Sequence, residues 1–278
     1  MPKLDLHSHT IASDGLLAPA ELVRLAHEVG LTTLAVTDHD TTAGLAEARA
    51  AAEPLGIEIV NGVEFACEMP HGEIHILGYL FDAENSALAA RLAWLREGRD
   101  ERGREMTAKL NTLGVPVSWE RVREIAGGAA VGRPHVAQAL VEGGWATDMR
   151  DAFDRYIGLG GPAYAARRRM TPDEVIDLMR RAGGVASLAH PARIADLEQT
   201  LPSLVAAGLA GMEAYYGEYD PATVSLLVKI ADRHNLVPTG GSDYHAREIK
   251  DHAMLGACPT VPADTVDRLR ARQMSRIA

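Results

Sequence analysis

The residues with the most chemistry to offer begin almost at the first position. In "LDLHSHTIASDG", Leu4 to Gly15, two histidines and two aspartates sit among apolar residues. Residues two apart on a strand point the same way, so Asp5, His7 and His9 share one face while Leu4 and Leu6 take the other. Two imidazoles on one face at the end of a strand can hold one ion. The spacing recurs as Asp243 and His245 in "GSDYH", and Asp38 and His39 close "LTTLAVTDHD". Glu64 ends "IEIVNGVEF", His75 follows in "GEIHILGY", and His190 ends "VASLAHP".

A single histidine at a strand end is ordinarily a hydrogen-bonded structural residue. Six of them with four or five carboxylates are another matter, because so many ionisable groups crowded together are unfavourable without compensating cations. Metal ions are the economical explanation. The other histidines read differently: His27 and His234 fall on helices, His71 and His252 in polar loops, and all four are assigned to the surface.

These residues must be positioned by alternating elements. "PAELVRLAHEVG" predicts a helix from Pro19 to near Gly30, and "LTTLAVTDHD" a strand after it. The cycle repeats with "TTAGLAEARAAAEPLG" and "IEIVNGVEF", and again later with "GVASLAHP", "AGMEAYY" and "LVPTGGSDYH" between the helices "PDEVIDLMRRAGG" and "DPATVSLLVKIADRHNL". This is the pattern of an α/β protein built as a β/α barrel, whose active site lies at the C-terminal ends of its strands. From 87 to 164 the strands stop, and three helical stretches predict an inserted subdomain acting as a substrate cap, between a first barrel part at 1–86 and a second at 165–278.

Totals narrow the class. A chain of 278 residues, 47% hydrophobic, can bury a large core. Neither a secretory leader nor an apolar run of membrane-spanning length is read, which predicts a cytoplasmic protein without a membrane partner. Cys67 and Cys258 lie in no metal-binding spacing and read as small buried hydrophobes. The formal charge of -10 argues against a broad polyanion track and for a small partner, with no stable protein partner indicated.

Together "DLHSHTIASDG", "TDHDT", "GVEF", "HILGY", "LAHP" and "GSDYH" resemble the PHP family, named for polymerase and histidinol phosphatase. The insertion, with "VGRPHVAQAL", resembles its small-nucleotide phosphoesterases, which include 3',5'-nucleoside bisphosphate phosphatases and 5'-to-3' exoribonucleases. The resemblance implies a distorted seven-stranded barrel carrying two to three divalent ions. One would take His7, His9, Glu64 and Asp243; a second would share Glu64 and take His75 and His190; a third would take Asp14, His39 and His245. Asp14 stands where many members have histidine. Asp5 and Asp38 are expected to orient the histidines. Mixed imidazole and carboxylate sites suit manganese, iron or zinc rather than calcium.

Two ions roughly 3.5 to 4 Å apart can carry an attacking hydroxide between them and stabilise both the attacking and leaving oxygens of a phosphoryl displacement. The expected reaction is hydrolysis of a small nucleotide's phosphate monoester, foremost the 3'-phosphate of a nucleoside 3',5'-bisphosphate. Pro134 suits a first helical turn, leaving free N–H groups for a phosphate, with Arg133 beside them and His135 as a further donor. From "ARRRM", Arg168 is taken as the arginine that reaches the substrate. His245, Asp243 and His135 are the candidates for the leaving-group acid.

Other readings are a 5'-to-3' exoribonuclease gripping an RNA 5' end, a histidinol phosphatase, an amidohydrolase-type C–N hydrolase and a non-catalytic module. Many binuclear amidohydrolases bridge their ions with a carboxylated lysine, and none of Lys3, Lys109, Lys229 and Lys250 falls at the end of a metal-bearing strand, whereas Glu64 does. His7→Ala or Glu64→Ala should abolish hydrolysis with little loss of fold, since a strand-end ligand contributes less to the core than its leucine neighbours. Unchanged turnover in either purified variant would contradict the bridged cluster.

Overall fold

The computed structural model describes residues 3–69, 72–128, 131–246 and 254–277. Seven strands form one sheet in sequence order: β1 (Leu4–Asp5), β2 (Thr33–Val36), β3 (Glu58–Met69), β4 (Gly72–Tyr79), β5 (Val185–Leu188), β6 (Gly211–Tyr216) and β7 (Val237–Gly241). The sheet curls into a nearly closed barrel. Beyond the short β1, the chain joins β7 and its extension: Leu6 N–H donates to Gly240 at 3.1 Å, Asp243 N–H to His7 at 2.8 Å and His9 N–H to Tyr244 at 2.9 Å. Across the interior, the Tyr79 hydroxyl donates to the Leu6 carbonyl at 2.7 Å.

The helices are α1 (Pro19–Glu28), α2 (Leu45–Ala52), α3 (Ser86–Thr112), α4 (Trp119–Ala126), α5 (Arg133–Glu142), α6 (Met149–Ala152), α7 (Pro172–Arg181), α8 (Leu197–Ala207), α9 (Pro221–Arg233) and α10 (Thr265–Ile277). Local chemistry sets their starts. Pro19, Pro172 and Pro221 stand at first-turn positions, where the missing N–H costs nothing, and Thr171 and Asp220 cap α7 and α9 through their side-chain oxygens. The strands read as continuous apolar runs because both faces are covered: β2 and β5 are buried throughout.

The chain divides into two compact units, Met1–Ala90 with Arg169–Ala278 and Arg91–Arg168. In the first, Leu4, Leu6, Val60, Leu77, Tyr79, Val185 and Val237 form a core that α10 joins through Val266 and Leu269. In the second, Met106, Leu110, Val122, Val136, Leu140 and Ile157 form a separate core, and no strand occurs among its described residues. Cys67 is buried, whereas Cys258 is only half-buried.

One expectation needs correction. Not every site-bearing strand runs the same way: β4 pairs antiparallel with both β3 and β5. His75 is the fourth residue of β4 rather than its end, and Glu64 lies in the middle of β3, which continues to Met69. A hairpin reverses direction, so it brings the beginning of β4 to the rim where the parallel strands finish.

Closure of the barrel leaves no room beside β7. A Cβ on Gly241 would lie 2.4 Å from the His7 nitrogen and 2.5 Å from the His7 Cβ. Gly241→Ala should therefore push the His7 segment away from β7 and destabilise the protein by about 1–3 kcal/mol, the usual range for overpacking. The checks are a lowered thermal midpoint and a reduced metal content after dialysis.

Candidate metal centre

Glu64 is the hub. It is 1% exposed, and its two oxygens face different groups. Oε2 lies 3.2 Å from His7 Nε2, 3.2 Å from His9 Nε2 and 3.3 Å from His39 Nδ1, while Oε1 lies 2.7 Å from His75 Nδ1 and 3.3 Å from His190 Nε2. Asp243 Oδ1 sits 3.3 Å from His7 Nε2 and 3.1 Å from His9 Nε2. On the far side of His9, Asp14 Oδ1 is 3.2 Å from His245 Nε2 and 3.7 Å from His9 Nδ1.

Three groups of potential ligands result: His7, His9, Glu64 and Asp243; His39, Glu64 and His75; and His9, Asp14, His39 and His245. These groups hold eight of the nine expected ligand residues; the ninth, His190, is in none of them, although its Nε2 faces Glu64 Oε1 at 3.3 Å. Their sharing differs in detail from the expected sets, since His39 also faces Glu64 and His9 also faces Asp14.

The neighbours of these side chains hold them in place. His7 Nδ1–H donates to Glu213 Oε1 at 3.0 Å, which turns Nε2 toward Glu64 and Asp243. The same carboxylate accepts the His190 backbone N–H at 2.7 Å. His75 Nε2 meets Glu73 Oε1 at 3.0 Å, and His245 Nδ1–H donates to the Asp243 carbonyl at 2.8 Å. Tyr216 donates its hydroxyl to Asp243 Oδ2 at 2.8 Å, leaving Oδ1 for His7 and His9. His190 and Asp243 carry positive φ values of 28° and 54°, so the backbone is strained at two candidate ligands.

Asp5 and Asp38 do not orient imidazoles. Asp5 accepts from the backbone of His7, Ser242 and Gly256 and from the Ser242 hydroxyl, tying β1 to the segment after β7. Asp38 accepts from Thr10 N–H, the Thr10 hydroxyl and the Ser13 hydroxyl, fixing the loop that carries Asp14. The imidazole partners are Glu213 and Glu73, which sequence reasoning passed over. A signal for each existed: Glu213 interrupts the apolar run "GMEAYY", and Glu73 stands two residues from His75 on the same strand face.

Outside the cluster, Arg133 lies over the Phe153 ring at 5.3 Å, and His135 Nδ1 accepts the Gly132 N–H at 3.0 Å at the start of α5. Arg168 pairs with Glu101 at 2.6 Å and lies over Trp94. The neighbouring Arg169 instead pairs with Glu73, beside His75. His27 is exposed and His234 partly so, while His71 and His252 lie outside the described residues.

Cations fit this arrangement on two grounds. Both ring nitrogens of His9 and Nδ1 of His39 are buried without a hydrogen-bond partner, and the carboxylate oxygens near them lie off line. The rings are also crowded, with His9 stacked 4.1 Å from His245 and 4.7 Å from His39, so the imidazoles cannot all be protonated. Burial alone would lower His9, but the Asp243 and Glu64 carboxylates raise it to about 10. Burial likewise works to lower His75, but Glu64 and Glu73 raise it to about 9. His39 is driven down to about 4 by burial, with His9 and His75 adding to that push. Burial works to raise Glu64 and Asp14, yet the surrounding imidazoles hold both well below the usual carboxylate range.

The comparisons agree with this geometry. Residues 5–162 match the PHP domain. The chain is 38% identical over 252 residues to a 3',5'-nucleoside bisphosphate phosphatase of Chromobacterium violaceum, covering 88% of each protein. It is 39% identical over 247 residues to the 5'-3' exoribonuclease Rnm of Salmonella typhimurium, covering 87% of this chain and 84% of that one. Among solved structures, a Bifidobacterium adolescentis protein provisionally described as a metal-dependent phosphoesterase superposes with a TM-score of 0.85 at 32% identity, over 98% of this chain and 96% of that one. The nearly closed seven-stranded barrel with its histidine and carboxylate rim is that of a metal-dependent phosphoesterase. The chain belongs to the PHP family. No helix among the described residues is long and apolar enough to cross a membrane.

In the metal-free chain His9 and His75 retain protons at neutral pH, and a cation must displace them. Manganese affinity should therefore rise with pH until about 9 to 10, with proton release near pH 7. Calorimetric titration of chelator-stripped protein in buffers of different ionisation enthalpy measures both, and pH-independent affinity without proton release would contradict the titration assigned here.

Proposed function

We propose that this phosphoesterase removes the 3'-phosphate from a nucleoside 3',5'-bisphosphate. The observation that carries the reading is the buried Glu64 carboxylate, whose two oxygens face separate imidazole groups and which would be shared between two cations. His7, His9, Glu64 and Asp243 would hold one divalent ion, Glu64, His75 and His190 with His39 a second, and Asp14, His39 and His245 a third. Manganese, iron and zinc suit this donor set. When bound, the ions supply positive charge for the attacking and leaving oxygens of a phosphoryl displacement.

The chain's own residues supply orientation. Glu213 fixes the His7 ring, Glu73 the His75 ring and Tyr216 the Asp243 carboxylate. Asp243 is poorly suited to donate a proton, because burial is outweighed by His7 and His9, which hold its carboxyl well below the usual range. His245 is placed on the third cation in this reading, with its Nδ1–H held by the Asp243 carbonyl, which leaves His135 as the proposed source of the leaving-group proton. Arg133 and His135 are proposed to hold a substrate phosphate. Arg168, which pairs with Glu101, is the third residue proposed for this contact.

The choice of substrate is supported by similarity to the C. violaceum enzyme across most of both chains. Comparable similarity to the Salmonella exoribonuclease favours a second reading, removal of nucleotides from an RNA 5' end. One assay separates them: adenosine 3',5'-bisphosphate, 5'-AMP, histidinol phosphate and a short 5'-phosphorylated RNA, each with manganese and with chelator. Metal-dependent phosphate release from the bisphosphate, at least tenfold above 5'-AMP, is expected. Mononucleotides from the RNA without free phosphate would move the assignment to the exoribonuclease.

A further inference from the structure

A phosphate bound at a metal centre presents oxygens that the cations leave uncovered, and these need donors from the protein. Two arginines of the barrel unit approach the ligand set through one intervening side chain. Arg193 is committed through Nη2, which donates to the Tyr216 hydroxyl at 3.1 Å and to Glu218 Oε2 at 2.9 Å, and its guanidinium lies 5.3 Å over the Tyr216 ring. It backs the tyrosine that holds Asp243.

Arg169 is different. Its backbone is anchored where Met170 bridges Cys67 of β3 and accepts the Glu68 N–H at 2.9 Å. The side chain is 21% exposed and forms an ion pair with Glu73. Glu73 Oε1 meets His75 Nε2 at 3.0 Å, and His75 Nδ1 meets Glu64 Oε1 at 2.7 Å. The guanidinium is thus two side chains from the central carboxylate. Its Nε is buried and has no hydrogen-bond partner, so the Glu73 pair leaves one donor of this arginine unmet.

We propose that Arg169 binds a non-bridging phosphate oxygen of the substrate, with Glu73 holding the guanidinium at the edge of the centre until substrate arrives. Arginine suits the task because its planar fork can leave one carboxylate oxygen and meet a phosphate without a change of charge state. The inference rests on the phosphoesterase reading and adds to it a residue and a contact.

The test uses full-length, manganese-loaded protein and inorganic phosphate as the probe, with binding followed by calorimetry and metal per chain measured for every variant. Arg169→Ala should weaken phosphate binding at least tenfold at unchanged metal content, and Arg169→Lys should fall between it and the unsubstituted chain. Glu73→Gln, which frees the guanidinium but alters the His75 partner, should retain phosphate binding once its metal is restored. Unchanged phosphate affinity in Arg169→Ala would overturn the proposal, as would a metal loss equal to that of Glu73→Gln, since the arginine would then only position His75. Failure of the phosphoesterase reading is seen separately, as absence of metal-dependent hydrolysis by the unsubstituted protein.

Discussion

A carboxylate buried among imidazoles is a costly arrangement unless charge and hydrogen bonding are balanced around it, and Glu64 is such a carboxylate. Its Oε2 meets the ring nitrogens of His7, His9 and His39, and its Oε1 those of His75 and His190. Much of the barrel's irregularity is explained by the need to bring these elements to one point. The short β1 continues as a ligand-bearing segment bonded to β7 and its extension, β3 runs on past Glu64, and β4 reverses direction so that His75 returns to the same rim.

The supporting groups are arranged around that hub in pairs that serve both the fold and the site. Glu213 fixes the His7 ring and also accepts the backbone N–H of His190, thereby coupling β1 to the strained turn after β5. Asp5 ties β1 to Ser242 and Gly256, closing the barrel immediately below the ligands. The close approach at Gly241 belongs to the same seam. Here the ordinary distinction between a core that gives stability and loops that give function does not hold, because closing the sheet and assembling the ligand set are one event.

The donor chemistry also separates this centre from its nearest alternatives. A bridging role for Glu64 needs no modified lysine, and a centre of nitrogen and oxygen donors leaves the buried Cys67 as a packing residue. The orphaned nitrogens of His9 and His39 are a property of the isolated polypeptide that cations would resolve.

Much of the site was legible in the sequence because metal ligands are constrained by residue type. Only histidine and carboxylates could serve, and the period-two spacing of His7 with His9 and of Asp243 with His245 marked them as strand positions on one face. The alternation of helical and strand patterns likewise marked the barrel, and the loss of strands after residue 86 marked the helical region. The orienting groups were not legible, since an acid such as Glu213 or Glu73 is distinguished only by the ring it meets across the sheet. Nor was the antiparallel course of β4, which depends on pairing between strands rather than on composition. Asp5 and Asp38 show the same limit: spacing placed them beside the histidines, yet their oxygens serve backbone amides and hydroxyls. The sequence by itself determined which residues could bind cations and which elements carried them. Tertiary structure alone decided their partners, because a hydrogen bond between side chains some two hundred residues apart, as from His7 to Glu213, exists only once the sheet has closed.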